Sequence, residues 1–163
     1  MVILGCVLFV WFLLSLIYSF SGSWIKSYPK EISADSFIKE KIELNQFGPF
    51  VAGRADIIGN KYQLFFGYSI GPKLWLKRRD YGEDVFVKQG FSKKIAIKLD
   101  GQIMARYVLM LSRDRLFLEG IFIPYKILFT HNSSKITIMP FFKPVKKIYQ
   151  RAAFVSKKII VNL

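Results

Sequence analysis

The first 20 residues, MVILGCVLFVWFLLSLIYSF, carry no charged side chain, and no other feature narrows the possible architecture as far. At a helical rise of about 1.5 Å, roughly 20 apolar residues span the 30 Å hydrocarbon core of a bilayer. Three structures suit such a run: a retained transmembrane helix, a cleaved signal peptide, or a buried core helix. A signal peptide opens on cations and carries a shorter apolar stretch, whereas no Lys or Arg precedes the run that starts at Val2. Ser21-Gly22-Ser23 offers small residues for cleavage, but the run before it is long for that role. A core helix carries a polar stripe, and the polar breaks here are Ser15, Tyr18 and Ser19. The expectation is a retained single-pass anchor over residues 1–20. Trp24 and Tyr28 then fall at the membrane interface, where amphipathic aromatic rings are favoured. Lys26 and Lys30 follow the run closely, so the positive-inside rule puts the rest of the chain on the cytoplasmic (or equivalent) side.

Removing that segment leaves 143 of the 163 residues, enough for one domain with a sizeable core. With 52% hydrophobic residues, 16 of them Phe, the chain is too apolar to be disordered. All 25 Lys and Arg and all 11 Asp and Glu lie after residue 20, so the net charge of +14 belongs to this domain. Such a charge favours anionic lipid, acidic protein surfaces or nucleic acid and says nothing of the fold. It is also lopsided: Glu119 is the last acidic residue, and eight cations follow it.

Residues 21–46 read as a juxtamembrane connector broken at Pro29, with a short helix or first strand somewhere in 32–44. From residue 47 to 140 the pattern is β. Runs at 50–58 and 61–70 flank the hairpin dipeptide Gly59-Asn60. Further runs follow at 73–78, 85–88, 94–99, 102–112, 115–123, 127–130 and 135–139. Ile95, Ile97 and Leu99 alternate with Lys94, Ala96 and Lys98, and Asp100-Gly101 is a strong type I′ hairpin turn. About eight short strands joined by tight turns must pair antiparallel, as a small barrel, a sandwich or a curved sheet. The expected fold is therefore mainly β: a meander behind one transmembrane helix. In the tail, residues 141–163, Pro144 suits the first turn of a helix. Val145, Ile148, Tyr149, Ala152, Val155 and Ile159 recur at helical spacing among cations. That is the pattern of a basic amphipathic helix, suited to a membrane surface or to an acidic partner, or equally to covering the open end of the β-domain with its lysines in solvent.

Motifs that carry chemistry are missing. One His and one Cys exclude a Cys/His zinc cluster of the usual kind, and Cys6 alone forms no internal disulfide. No nucleophile elbow, P-loop or His-Glu-x-x-His occurs. Asp80, Glu83 and Asp84 lie beside Lys77, Arg78 and Arg79, where mutual charge compensation accounts for them. No catalytic, cofactor-binding or metal-binding residue is expected, and no cofactor. Two basic contact surfaces are expected instead. The first is the tail, with Lys143, Lys146, Lys147, Arg151, Lys157 and Lys158. The second is Lys73, Trp75, Lys77, Arg78 and Arg79, where an aromatic ring stands among cations as in nucleic-acid readers, although a membrane tether makes nucleic acid the less fitting partner. The expected function is that of a non-catalytic accessory subunit of a membrane complex, its partners being integral membrane proteins and anionic lipid headgroups. The alternative is a membrane-tethered lipid- or amphiphile-binding β-module.

Overall fold

The chain is described by a computed structural model over residues 2–26, 41–57, 61–130, 133–141 and 143–152. After helix α1 (Val2–Ile17) come β1 (Gly22–Lys26), β2 (Lys41–Phe47), β3 (Phe50–Ile57), β4 (Lys61–Ile70) and β5 (Lys73–Tyr81). Two short helices, α2 (Glu83–Lys88) and α3 (Lys93–Leu99), precede β6 (Ile103–Leu111), β7 (Phe117–Thr130), β8 (Ser133–Pro140) and β9 (Val145–Arg151). Each of β1 to β7 pairs antiparallel with the next, β7 pairs with β9, and β9 pairs with β1. The result is a closed antiparallel barrel of eight strands with no free edge in its wall. The ninth strand, β8, pairs with the second half of β7 as a hairpin that runs on past the wall.

The period of 2 along the strands decides what fills the barrel. Ile42 and Leu44, Val51 and Ala55, Leu74 and Leu76, Tyr107, Leu109 and Leu111, Leu118 and Tyr149 turn inward and are buried with Phe20, Trp24 and Phe65. Small barrels of this kind are packed with side chains. Gly67 and Gly120 stand at inward positions where neighbouring strands press together. A Cβ on Gly67 would lie 1.8 Å from the Trp75 carbonyl oxygen, and one on Gly120 2.0 Å from that of Val108.

Four expectations are corrected. Among the described residues no helix is long and apolar enough to cross a membrane. The 16 residues of α1 reach only about 24 Å, because the chain leaves the helix at Tyr18 and buries Phe20 in the barrel. The connector expected over 21–46 contains two barrel strands, β1 and β2. The runs at 85–88 and 94–99 are the helices α2 and α3, not strands. Since β5 already pairs with β6 as far as Arg79↔Ile103, no ladder is open to them. Instead α3 buries Ala96 and Leu99, with Phe86 and Met104, under Ile127, Ile136 and Ile138 of the protruding hairpin. Finally, the tail is a strand over 145–151, because its backbone closes the gap between β1 and β7. The hairpin at Gly59-Asn60, Tyr28, Lys157 and Lys158 lie outside the described residues.

Candidate functional site

Two linked surfaces stand out: α1 at one end of the barrel, and a groove on the outer wall beside it. The turns β2–β3, β4–β5 and β6–β7 share that end, and backbone bonds knit them together, with Ser69 N–H donating to the Pro49 carbonyl (2.8 Å) and Leu111 N–H to that of Pro72 (2.8 Å). One stripe of α1 docks there. The Trp11 indole N–H donates to the Ser69 carbonyl at 2.7 Å, Ser15 is buried, and the Trp11 ring meets Phe50 edge-on at 6.1 Å. The Gln46 side chain fastens the helix end. Its amide nitrogen donates to the carbonyls of Ser15 (3.0 Å) and Gly48 (2.8 Å), while its oxygen accepts from Phe20 N–H (2.8 Å). The other faces of α1 are uncovered: Val7, Leu8, Phe9, Val10, Phe12, Leu13, Leu14, Leu16 and Ile17 are 38 to 63% exposed.

The groove has a volume of about 950 Å³ and crosses β2 to β7 on the outside of the wall. Strand register orders its outward side chains into rungs. Phe50, Tyr68, Trp75 and Val108 form the rung nearer α1. Ala52, Phe66, Lys77, Arg106 and Ile123 form the next, about 7 Å further along the strands. Tyr68 and Trp75 stack at 5.3 Å, Phe47 projects almost fully into solvent, and the Arg79 guanidinium lies over the Phe66 ring at 5.3 Å.

The second expected patch is thus divided. Lys73, Trp75, Lys77 and Arg79 share the outer face, but Arg78 turns into the barrel. There its Nε lies 2.7 Å from Asp80 Oδ1, and its two terminal nitrogens donate to Asp80 Oδ2 (2.9 Å) and the Tyr107 hydroxyl (3.2 Å). Burial acts to lower the Arg78 pKa, yet Tyr107 and Asp80 together hold it above its ordinary value.

The tail patch divides in the same way. Lys143 and Lys146 are exposed, whereas Lys147 lies over the Phe122 ring at 5.1 Å. Arg151 covers the Trp24 ring at 4.6 Å and donates to the Ser19 carbonyl at 2.8 Å; burial and nearby Arg115 lower its pKa. Trp24, expected at a membrane interface, is a core residue with no exposure, its indole N–H satisfied by the Phe20 carbonyl at 2.9 Å. Asp114 ties the β6–β7 turn by accepting from the Ser112 hydroxyl and from Leu116 N–H, which pulls its carboxyl below the usual range.

Phe47, Phe50 and Tyr68 were not singled out from the sequence, whereas Arg106 was legible as a cation that could join a basic face. The aromatic residues flanking Gly48-Pro49 were a legible signal. The juxtaposition of Arg106 with Lys77 was not, since it depends on which strands are neighbours. The chain matches no family model, no curated protein and no solved structure.

Proposed function

We propose that the chain is a non-catalytic accessory module of a larger membrane assembly, with α1 as its attaching element and the basic barrel as its contact surface for integral membrane proteins and anionic headgroups. One observation carries the reading: α1 is apolar all round yet docked along a single stripe. Burying a large apolar side chain fully is favourable by about 1.5–3 kcal/mol, so covering nine roughly half-exposed ones returns on the order of 10 kcal/mol before the costs of association. No exposed ion pair on the barrel approaches that figure. Apolar surface of this extent marks contact with a partner or a membrane. Because the cations at the α1 end, Arg113 and Arg115 in the β6–β7 turn, Lys73 at the start of β5 and Arg151 on the Ser19 carbonyl, belong to the barrel, the barrel stands on the cationic, cytoplasmic (or equivalent) side in this reading.

The test is extraction of the tagged full-length protein from its native membranes in mild detergent, followed by mass spectrometry of what stays bound. A stoichiometric set of integral membrane proteins is the expected result. A chain that is released from membranes without detergent, and alone, would overturn the reading.

A further inference from the structure

The outer groove has a chemistry of its own. Lys77 and Arg106 are direct cross-strand partners, and like charges placed opposite one another on a sheet face are destabilising. The ion pairs among the described residues are Lys41–Glu43, Arg54–Asp56 and Arg78–Asp80, so no carboxylate there lies between these two cations. Among the described residues Arg106 lies over the Tyr125 ring, at 5.6 Å. An anion placed between them would turn repulsion into two charge-assisted hydrogen bonds, and a phosphate suits a guanidinium beside an ammonium. One rung closer to α1 the surface is aromatic: Phe50, Tyr68 and Trp75, with Phe47 at the edge. Through the Phe50–Trp11 contact this rung runs on into the uncovered apolar surface of α1. On the β3 side, where Phe50 meets Trp11 directly, apolar helix, aromatic rung and cationic rung therefore succeed one another in the order of acyl chain, interface and phosphate in one leaflet of a bilayer. On β5 to β7 the rung of Lys73, Met110 and Glu119 stands between helix and aromatic rung.

We infer that the groove seats one anionic phospholipid of the membrane to which α1 attaches, its phosphate held between Lys77 and Arg106 and its acyl end lying over Phe50, Tyr68 and Trp75 toward α1. The groove volume of about 950 Å³ falls within the range of small-molecule sites. The inference rests on the membrane attachment proposed above, and the experiment separates the two. Full-length protein is titrated with phosphatidylcholine vesicles, and with vesicles containing about one-third phosphatidylglycerol. Lys77→Glu with Arg106→Glu is compared with Lys126→Glu and Lys143→Glu, an equal charge change at exposed positions outside the groove.

The groove pair should lose affinity for the anionic vesicles by on the order of tenfold more than the control pair, since each basic residue at the surface adds measurably to such binding. Binding to neutral vesicles should not change. Lys77→Gln with Arg106→Gln, checked by thermal melting, should reproduce the loss without charge reversal. Equal losses in both pairs would overturn the groove site and leave the attachment standing; binding to neither vesicle would overturn the attachment and the site with it. Native mass spectrometry of the extracted protein should show one phosphatidylglycerol adduct that the groove pair loses. A second copy of the chain, or a protein, held at the groove instead would also overturn the site.

Discussion

Gln46 shows how much one side chain settles at the junction of helix and barrel. A helix end leaves its last carbonyls without intrahelical partners, and the Gln46 amide serves one of them, at Ser15, while also serving Gly48 and Phe20. Replacing it by Ala removes three bonds and leaves part-buried backbone groups unpaired, so we predict that Gln46→Ala lowers stability by about 2–3 kcal/mol. Gln46→Glu should be no milder, because a carboxylate cannot donate to the two carbonyls. Urea denaturation reads the loss, and hydrogen exchange in residues 5–17 should accelerate in both variants. A Gln46→Ala protein with wild-type stability and exchange would mean that α1 is held by Trp11 alone. The Arg78–Asp80 pair is the contrasting case. With side chains only 16 and 17% exposed it is largely desolvated, so Asp80→Asn strands a guanidinium inside the barrel. We predict a cost of about 3 kcal/mol, against less than about 1 kcal/mol for Asp56→Asn at the exposed Arg54 pair. Alternation from Leu74 and Leu76 puts Arg78, and not Lys77 or Arg79, on the buried face, but its meeting with Tyr107 there depends on which strand lies beside β5.

The elements divide by how local their causes are. Strands β3 to β6 and the first half of β7 were legible because alternation is read within ten residues, and the short connections β3–β4, β4–β5 and β6–β7 require antiparallel pairing. Strand β7 instead runs unbroken through Pro124, where the sequence suggested two runs. The elements whose identity depends on distant partners were not. The tail pattern at Val145, Ile148 and Tyr149 fits a helix face, yet the backbone of 145–151 supplies the ladder that two strands more than 20 residues upstream leave open. Ile95, Ile97 and Leu99 alternate as a strand would, but Ile97 is exposed while Ala96 and Leu99 are buried, which is helical spacing selected by the second core. In a helix, Val145 and Tyr149 would share a face at i and i+4 and matter alike. In β9, Tyr149 is enclosed by the barrel while Val145 is half-exposed at its end. Tyr149→Ala should therefore cost about 3–4 kcal/mol and Val145→Ala less than about 1 kcal/mol, as measured by thermal and urea unfolding. Similar small costs at both positions would argue against closure by β9.

At the scale of the whole molecule, two forces of different range act on the same end of the barrel. The apolar surface of α1 acts at contact and is insensitive to salt. The net charge of +14 acts over a Debye length, about 10 Å at 0.1 M salt and 3 Å at 1 M. Their division of labour is measurable on vesicles containing phosphatidylglycerol. We predict that association weakens steeply from 0.1 to 1 M salt and then levels at a residual set by α1, because screening removes the long-range attraction and leaves apolar burial. The pH response should be nearly flat from pH 6 to 9. Only one histidine is present, so that side chain can alter the total by a single unit across the range where histidine titrates, leaving the lysine and arginine excess to set the field. Co-sedimentation across both series separates the contributions. A steep pH dependence would mean that the lysine and arginine excess does not set the attraction. Complete loss at high salt would mean that α1 contributes no contact of its own, and the uncovered helix would then need a protein partner in place of the lipid.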